Sequence, residues 1–130
     1  MLYVTDTHSL IWYLTDDPKL STAAKRAFQW ADIFQVHICI PCIVFFELLY
    51  LVEKKRIPID FGGFLRMISS SGNYRVEPLC LPIIQQARKI PRAKIKDPWD
   101  RIIAATSIHL NLPLITGDKK LKKIVPKVIW

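Results

Sequence analysis

Short apolar runs alternate with stretches of three-to-four spacing along most of this chain. Leu2-Tyr3-Val4 is a β-rich run that stops at Thr5-Asp6, as a central parallel strand with a functional carboxyl end would. Thr7 to Leu14 then reads as a helix with Leu10, Ile11 and Leu14 on one face, so a first βα unit is predicted. After the turn at Asp16-Asp17-Pro18, Ser21 caps a helix through Ala23, Ala24, Ala27, Phe28 and Ala31. Phe34 to Ile40 is a second strand, and Pro41 opens a helix to about Lys55 that carries Glu47 between Phe46 and Leu48. Another helix, from about Asp60 through Ile68, is broken by Ser69 to Asn73.

Tyr74 to Leu79 is a third strand, peripheral because Pro78 cannot donate to a ladder. A helix over Pro82 to Ile90, a basic loop over Pro91 to Lys96 and a helix over Asp97 to Leu110 follow. Leu112 to Thr116 is a fourth strand, a Lys-rich turn comes next, and Val125 to Trp130 forms a last strand. Strands alternating with helices in this way define an α/β fold: a central, mostly parallel sheet of four or five strands between helical layers. No repeat, low-complexity tract or linker interrupts the pattern, and 130 residues suit one domain spanning 1–130.

Charge adds a partner class. The formal net charge is +8, and eleven basic residues follow position 87, a balance that draws polyanions such as RNA or DNA, or an acidic protein. Lys119-Lys120 and Lys122-Lys123 taken alone serve equally well as a solvated surface. Met1-Leu2-Tyr3-Val4 meets Asp6 without a basic leader region, and the most apolar stretch, Ile38 to Val52, contains Pro41 and Glu47. The expectation is a soluble cytoplasmic protein with no membrane partner.

The cysteines offer one candidate chemistry. Cys39-Ile40-Pro41-Cys42 has the spacing of a redox dithiol or half a zinc site, with His37 and Cys80 as possible zinc partners. Apolar neighbours on both sides favour buried thiols instead.

The acids offer another. Asp16, Asp17, Asp32, Glu53, Asp60 and Glu77 fall in turns or polar stretches, whereas Asp6, Glu47, Asp100 and Asp118 fall at strand ends or within largely apolar segments. Ionised carboxylates near a core are costly without partners. In open α/β sheets, sites lie beyond the carboxyl ends of the strands, where Asp6 and Asp118 sit and where neighbouring helices can bring Glu47 and Asp100. Carboxylates gathered there repel one another unless cations neutralise them; hard oxygen ligands in that number suit Mg²⁺ or Mn²⁺, which grip phosphates and activate water.

Each acid also has a plainer explanation. Asp6 could end a strand in a turn, Glu47 could pair with Lys54, and Asp118 could begin a turn before Lys119. Asp97-Pro98 is a helix-start pair, so Asp97 is read as the cap that aims Asp100. His8, His37 and His109, and Trp12, Trp30 and Trp99, are read as surface or packing residues.

Four segments together resemble one family. Tyr3 to Trp12 resembles the opening strand and first acid of PIN-domain proteins, in particular the small VapC-like toxins of toxin–antitoxin pairs. Phe46 to Lys54 resembles their glutamate-bearing helix, Asp97 to Thr106 their third acidic segment, and Leu112 to Asp118 their fourth. The resemblance implies a PIN-like three-layer fold and a metal-dependent endoribonuclease, held inactive by a small antitoxin and forming homodimers. It implies Asp6, Glu47, Asp100 and Asp118 as catalytic metal ligands for Mg²⁺ or Mn²⁺, with a metal-activated water as nucleophile. One departure is Thr116-Gly117 before the last acid, where the family often carries Arg or Asn; Gly117 removes a possible side-chain contact with RNA.

Two competing readings make different predictions. A dithiol oxidoreductase built on Cys39 and Cys42 leaves the four acids unexplained, and a PIN-like binding module without catalysis binds RNA or an antitoxin but cleaves nothing.

Overall fold

A computed structural model describes all residues, 1–130. Five parallel strands form one sheet in the order β3-β2-β1-β4-β5. They are β1 (Leu2–Thr5), β2 (His37–Pro41), β3 (Tyr74–Glu77), β4 (Leu114–Ile115) and β5 (Val128–Ile129). Seven helices accompany them: α1 (Thr7–Leu14), α2 (Thr22–Asp32), α3 (Cys42–Glu53), α4 (Phe61–Ser70), α5 (Leu81–Arg88), α6 (Pro98–Leu110) and α7 (Lys119–Ile124).

Consecutive residues of a strand face opposite sides of the sheet. Tyr3, Val4 and Thr5 of β1 and Ile38 to Pro41 of β2 are all buried, so both faces of the central strands are covered, as parallel sheets require. The edge strands differ. Arg75 and Val76 of β3 are exposed, and β5 is only half-buried.

Local chemistry sets the helices. Ser21 accepts the Ala24 N–H and starts α2, whose Ala24, Ala27, Phe28 and Ala31 form the buried stripe. Phe28 stacks on Tyr13 of α1 at 4.6 Å between ring centroids. Asp97 caps α6, Pro98 occupies its first position, and Asn111 closes it in the left-handed conformation at φ 54°.

The sequence pattern misplaces three pieces. Phe34 to Val36 is not strand: Phe34 sits at φ 60° in the turn that ends α2, and β2 begins only at His37. Pro41 is the last residue of β2, not the first of α3. The Lys-rich turn is the helix α7, capped by Asp118 and anchored by the buried Leu121, which leaves only Val128–Ile129 for the last strand.

Chain direction reverses across the sheet between β1 and β4. From β1 the chain steps outward to β2 and β3, then returns through α5 and α6 to pair β4 with the other side of β1. The carboxyl ends of β1 and β4 therefore flank the switch point, where α/β folds place their sites.

Candidate active site

Asp6 follows β1 at this switch point and caps α1. Its Oδ1 accepts the Ser9 N–H at 2.8 Å, and its Oδ2 accepts the Thr116 hydroxyl at 2.5 Å. Only 7% of Asp6 is exposed, and burial holds its carboxyl above the usual carboxylate range against the opposing pull of those hydrogen bonds.

Thr116, just past β4, is completely buried. It donates to Asp6 and accepts the Asp118 N–H at 3.1 Å, so one hydroxyl ties the two strand-end acids together. Asp118 caps α7, its Oδ1 taking the Lys120 and Leu121 N–H groups. Both the turn-like role and the site-facing position hold for this residue.

Asp100 lies in the first turn of α6. Asp97 accepts the N–H groups of Trp99 and Asp100 and thereby sets the start of that helix. Burial, reinforced by Asp97, Asp118, Glu47 and Asp6, pushes the Asp100 carboxyl up to about 7. Glu47 belongs to α3 and accepts the Thr7 hydroxyl at 2.7 Å; burial raises its pKa as well. It pairs with no lysine.

Asp6, Asp100 and Asp118 line one cavity of about 280 Å³, together with His8, Trp12 and Gly117. Glu47 is not on that wall, although Asp100 feels its charge. In the side-chain positions of the structure no three acidic, His or Cys groups close around a single point. The donor set nevertheless fits a hard cation that keeps much of its water. None of these carboxylates is ion-paired, since the ion pairs of the molecule, Lys25–Asp16 and Arg66–Asp60, lie elsewhere; the nearest bases are His8 on the same wall and Lys96 and Lys120 beside Asp100 and Asp118.

Cavities extend from this one in both directions. Through His8 and Trp12 it borders a larger one of about 590 Å³. Through Asp100 and Asp118 it borders a cavity reaching Lys96 and Lys120, and Lys120 in turn borders one with Lys94 and Lys123. A track thus runs from an aromatic end, past the acids, to a lysine end.

Some of this lies outside the sequence reading. Thr7 and Thr116 orient acids from 40 and 110 residues away, separations at which no local pattern exists. His8 and Trp12, read as surface and packing groups, form the wall between two cavities. At Gly117 an added Cβ would come within 2.5 to 2.9 Å of three atoms of the Trp130 indole. The side chain missing at Gly117 is thus replaced by a tryptophan ring seated on its backbone.

Cys39 is buried in β2, Cys42 is exposed on α3, and no disulfide joins them. Burial raises the Cys39 thiol pKa, the opposite of what an attacking dithiol needs. His37 and Cys80 complete no zinc site with them.

Comparison with known proteins agrees with this architecture. Ribonuclease VapC22 of Mycobacterium tuberculosis (strain ATCC 25618 / H37Rv) is 28% identical over 117 residues, covering 90% of this chain and 87% of that protein. Among solved structures, VapBC2 from Rickettsia felis bound to a DNA fragment from their promoter superposes with a TM-score of 0.72 at 20% identity, over 98% of this chain and 96% of that one. DNA-bound VapBC from Salmonella typhimurium gives 0.69 at 20% identity, over 98% and 97%. Both share the fold. The PIN domain family model matches residues 3–125, from within β1 to the residue after α7, and the chain belongs to the PIN-domain family.

Proposed function

We propose that this protein is a metal-dependent endoribonuclease, the toxin of a toxin–antitoxin pair, folded as one catalytic domain over residues 1–130. The observation that carries the proposal is the wall shared by Asp6, Asp100 and Asp118 at the switch point, none of them held in an ion pair. Glu47, held by Thr7 close enough to raise the Asp100 pKa, is the fourth carboxylate.

In this reading the acids hold Mg²⁺ or Mn²⁺. The cation supplies charge stabilisation at the phosphate and an acidified water. The residues of the chain do the rest. Thr116 fixes the rotamer of Asp6, Asp97 fixes the start of α6 and hence Asp100, and Lys96 and Lys120 draw the polyanion to the acids. The reaction is hydrolysis: the water oxygen bonds to phosphorus, the P–O ester bond breaks, and the water proton ends on the leaving oxygen.

Similarity to a ribonuclease and to toxin–antitoxin complexes supports a small antitoxin as regulatory partner; a homodimer is the assembled form we propose. No helix is long and apolar enough to cross a membrane, and the cytoplasm is the compartment we propose.

The test is incubation of the purified protein with cellular RNA, in Mg²⁺ and in EDTA, beside an Asp6→Asn variant. Cleavage is expected only for the unmodified protein with Mg²⁺. Cleavage that persists in EDTA or in the variant would falsify the metal site, and RNA binding without any cleavage points to the binding module instead.

A further inference from the structure

We infer that the cavity behind Trp12 receives one unpaired nucleobase of the RNA, beside the phosphate held at the carboxylates. The inference rests on the nuclease reading for the identity of its ligand and specifies how that ligand is gripped.

This cavity has a volume of about 590 Å³, within the roughly 300–1,000 Å³ range of small-ligand pockets. Its wall towards the acids consists of His8 and Trp12, so a group lodged there lies next to whatever occupies the acidic cavity. His8 and Trp12 of this wall lie 5.9 Å apart, centroid to centroid, and Trp12 lies 6.0 Å from Trp130, which stands outside the cavity against Gly117. Each tryptophan carries a lysine. Lys19 Nζ is 5.9 Å from the Trp12 ring, and Lys122 Nζ is 5.5 Å from the Trp130 ring.

Half-buried aromatic rings with ammonium groups at their faces suit a ligand that is flat, polarisable and anionic at its edge. A nucleobase with its phosphates has that character, and base-on-aromatic stacking beside basic side chains is how single strands are held. Arg56 also lines the cavity and adds a second positive charge to that of Lys19. The acids of the same cavity are already engaged: Asp16 pairs with Lys25 at 3.4 Å, and Asp17 accepts the Lys19 N–H at 2.9 Å. A paired base cannot enter such a cavity while stacked in a helix, so the substrate must present a single-stranded or extruded nucleotide.

The test uses an RNA oligonucleotide spanning a cleavage site mapped on cellular RNA, with an abasic nucleotide moved through each position. Where no cleavage is found, a randomised 12-nucleotide RNA is used in a binding assay by fluorescence anisotropy. Trp12→Leu, which keeps apolar bulk but removes the stacking face, should raise KM or Kd roughly 5- to 100-fold with a far smaller change in kcat. Trp12→Phe should recover most of the loss. With the unmodified protein, one abasic position beside the cleaved bond should give the same loss, and none beyond it in Trp12→Leu.

Cleavage with no position-specific abasic effect overturns the subsite and leaves the nuclease standing, and this arm does not depend on any variant folding. RNA binding that depends on Trp12 without cleavage keeps the subsite and removes the nuclease. Absence of both binding and cleavage removes both. If Trp12→Leu weakens only the grip on a protein partner and leaves RNA affinity unchanged, the cavity belongs to a peptide and the inference fails.

Discussion

The Thr116 hydroxyl donates to Asp6 Oδ2 at 2.5 Å and accepts the Asp118 N–H at 3.1 Å, so a single buried oxygen sets two candidate ligands. A buried acid keeps a useful orientation only if something other than water fixes it. Thr116→Val retains the shape but removes both interactions. We expect a stability loss of about 1–3 kcal/mol, because Asp6 is left with an unmatched buried oxygen. Outer-shell partners of metal ligands are worth about 10- to 100-fold in affinity or activity, and a loss of that size is expected in RNA cleavage. Thr116→Ser should restore most of both. Thermal unfolding and cleavage rates of the two variants decide it, and a fully active Thr116→Val would show that Asp6 needs no such support.

Asp97 has two separable effects. It caps α6 through the N–H groups of Trp99 and Asp100, and its charge raises the Asp100 pKa. Asp97→Asn keeps a good cap and loses the charge, so stability should hold while Asp100 ionises at lower pH. Asp97→Ala loses the cap as well and should cost about 0.5–2 kcal/mol. The acidic limb of the pH–rate profile should shift to lower pH in both variants, and the melting temperature should fall only in the alanine variant. An unmoved acidic limb in both would remove Asp97 from the electrostatics of the site.

The raised carboxylates give stability a definite dependence on pH. Asp100 titrates at about 7 in the folded protein against 3.8 for the ordinary group. Between those values the folded state holds a proton that the unfolded state has released, so the metal-free protein loses stability as pH rises through that window. Asp6 and Glu47 are raised too and act in the same sense. Divalent cation bound to the ionised acids should reverse the trend, since it competes with the protons. Melting temperatures in EDTA should therefore fall from pH 5 to pH 8, recover with Mg²⁺ at the upper end, and fall less in Asp100→Asn. A melting temperature in EDTA that rises across the same interval contradicts this account.

The sequence showed most of the frame that carries the site, for identifiable reasons. Tyr3 to Asp6 is an apolar strand ending on an acid, and Asp97-Pro98 is a cap followed by a residue suited to the first helical turn. Both signals are local, and both elements form where the pattern puts them. The helix α7 escaped because four of its six residues are lysine and Leu121 alone is buried, which leaves too little apolar periodicity to detect. Phe34 to Val36 misled because β-prone residues there serve a turn with a left-handed Phe34. The Thr7 contact with Glu47 depends on the β1–β2 pairing, which sets α3 beside α1, and the Thr116 contact and the ring chain from His8 to Trp130 on the β1–β4 and β4–β5 pairings; they become visible only once those strands are adjacent.

Gly117 ties that ring chain to the acids. Its backbone lies so close to the Trp130 indole that a methyl group would overlap three ring atoms, while Gly117 itself lines the acidic cavity beside Asp118. Backbone φ is not the constraint, because no glycine of the chain has a positive φ; the contact alone demands a hydrogen. Gly117→Ala must either displace the indole or shift the loop that carries Thr116 and Asp118. A ring is easier to move than a buried hydrogen-bonded loop, so the ring should leave, at about 1–3 kcal/mol for an overpacked contact. The expected result is a red-shifted tryptophan emission, weaker RNA binding and a nearly unchanged kcat. Gly117→Ala combined with Trp130→Ala removes the clash and should regain the lost stability in part. If Gly117→Ala instead lowers kcat while leaving emission unchanged, the loop has moved and Gly117 serves the carboxylates rather than the aromatic rim.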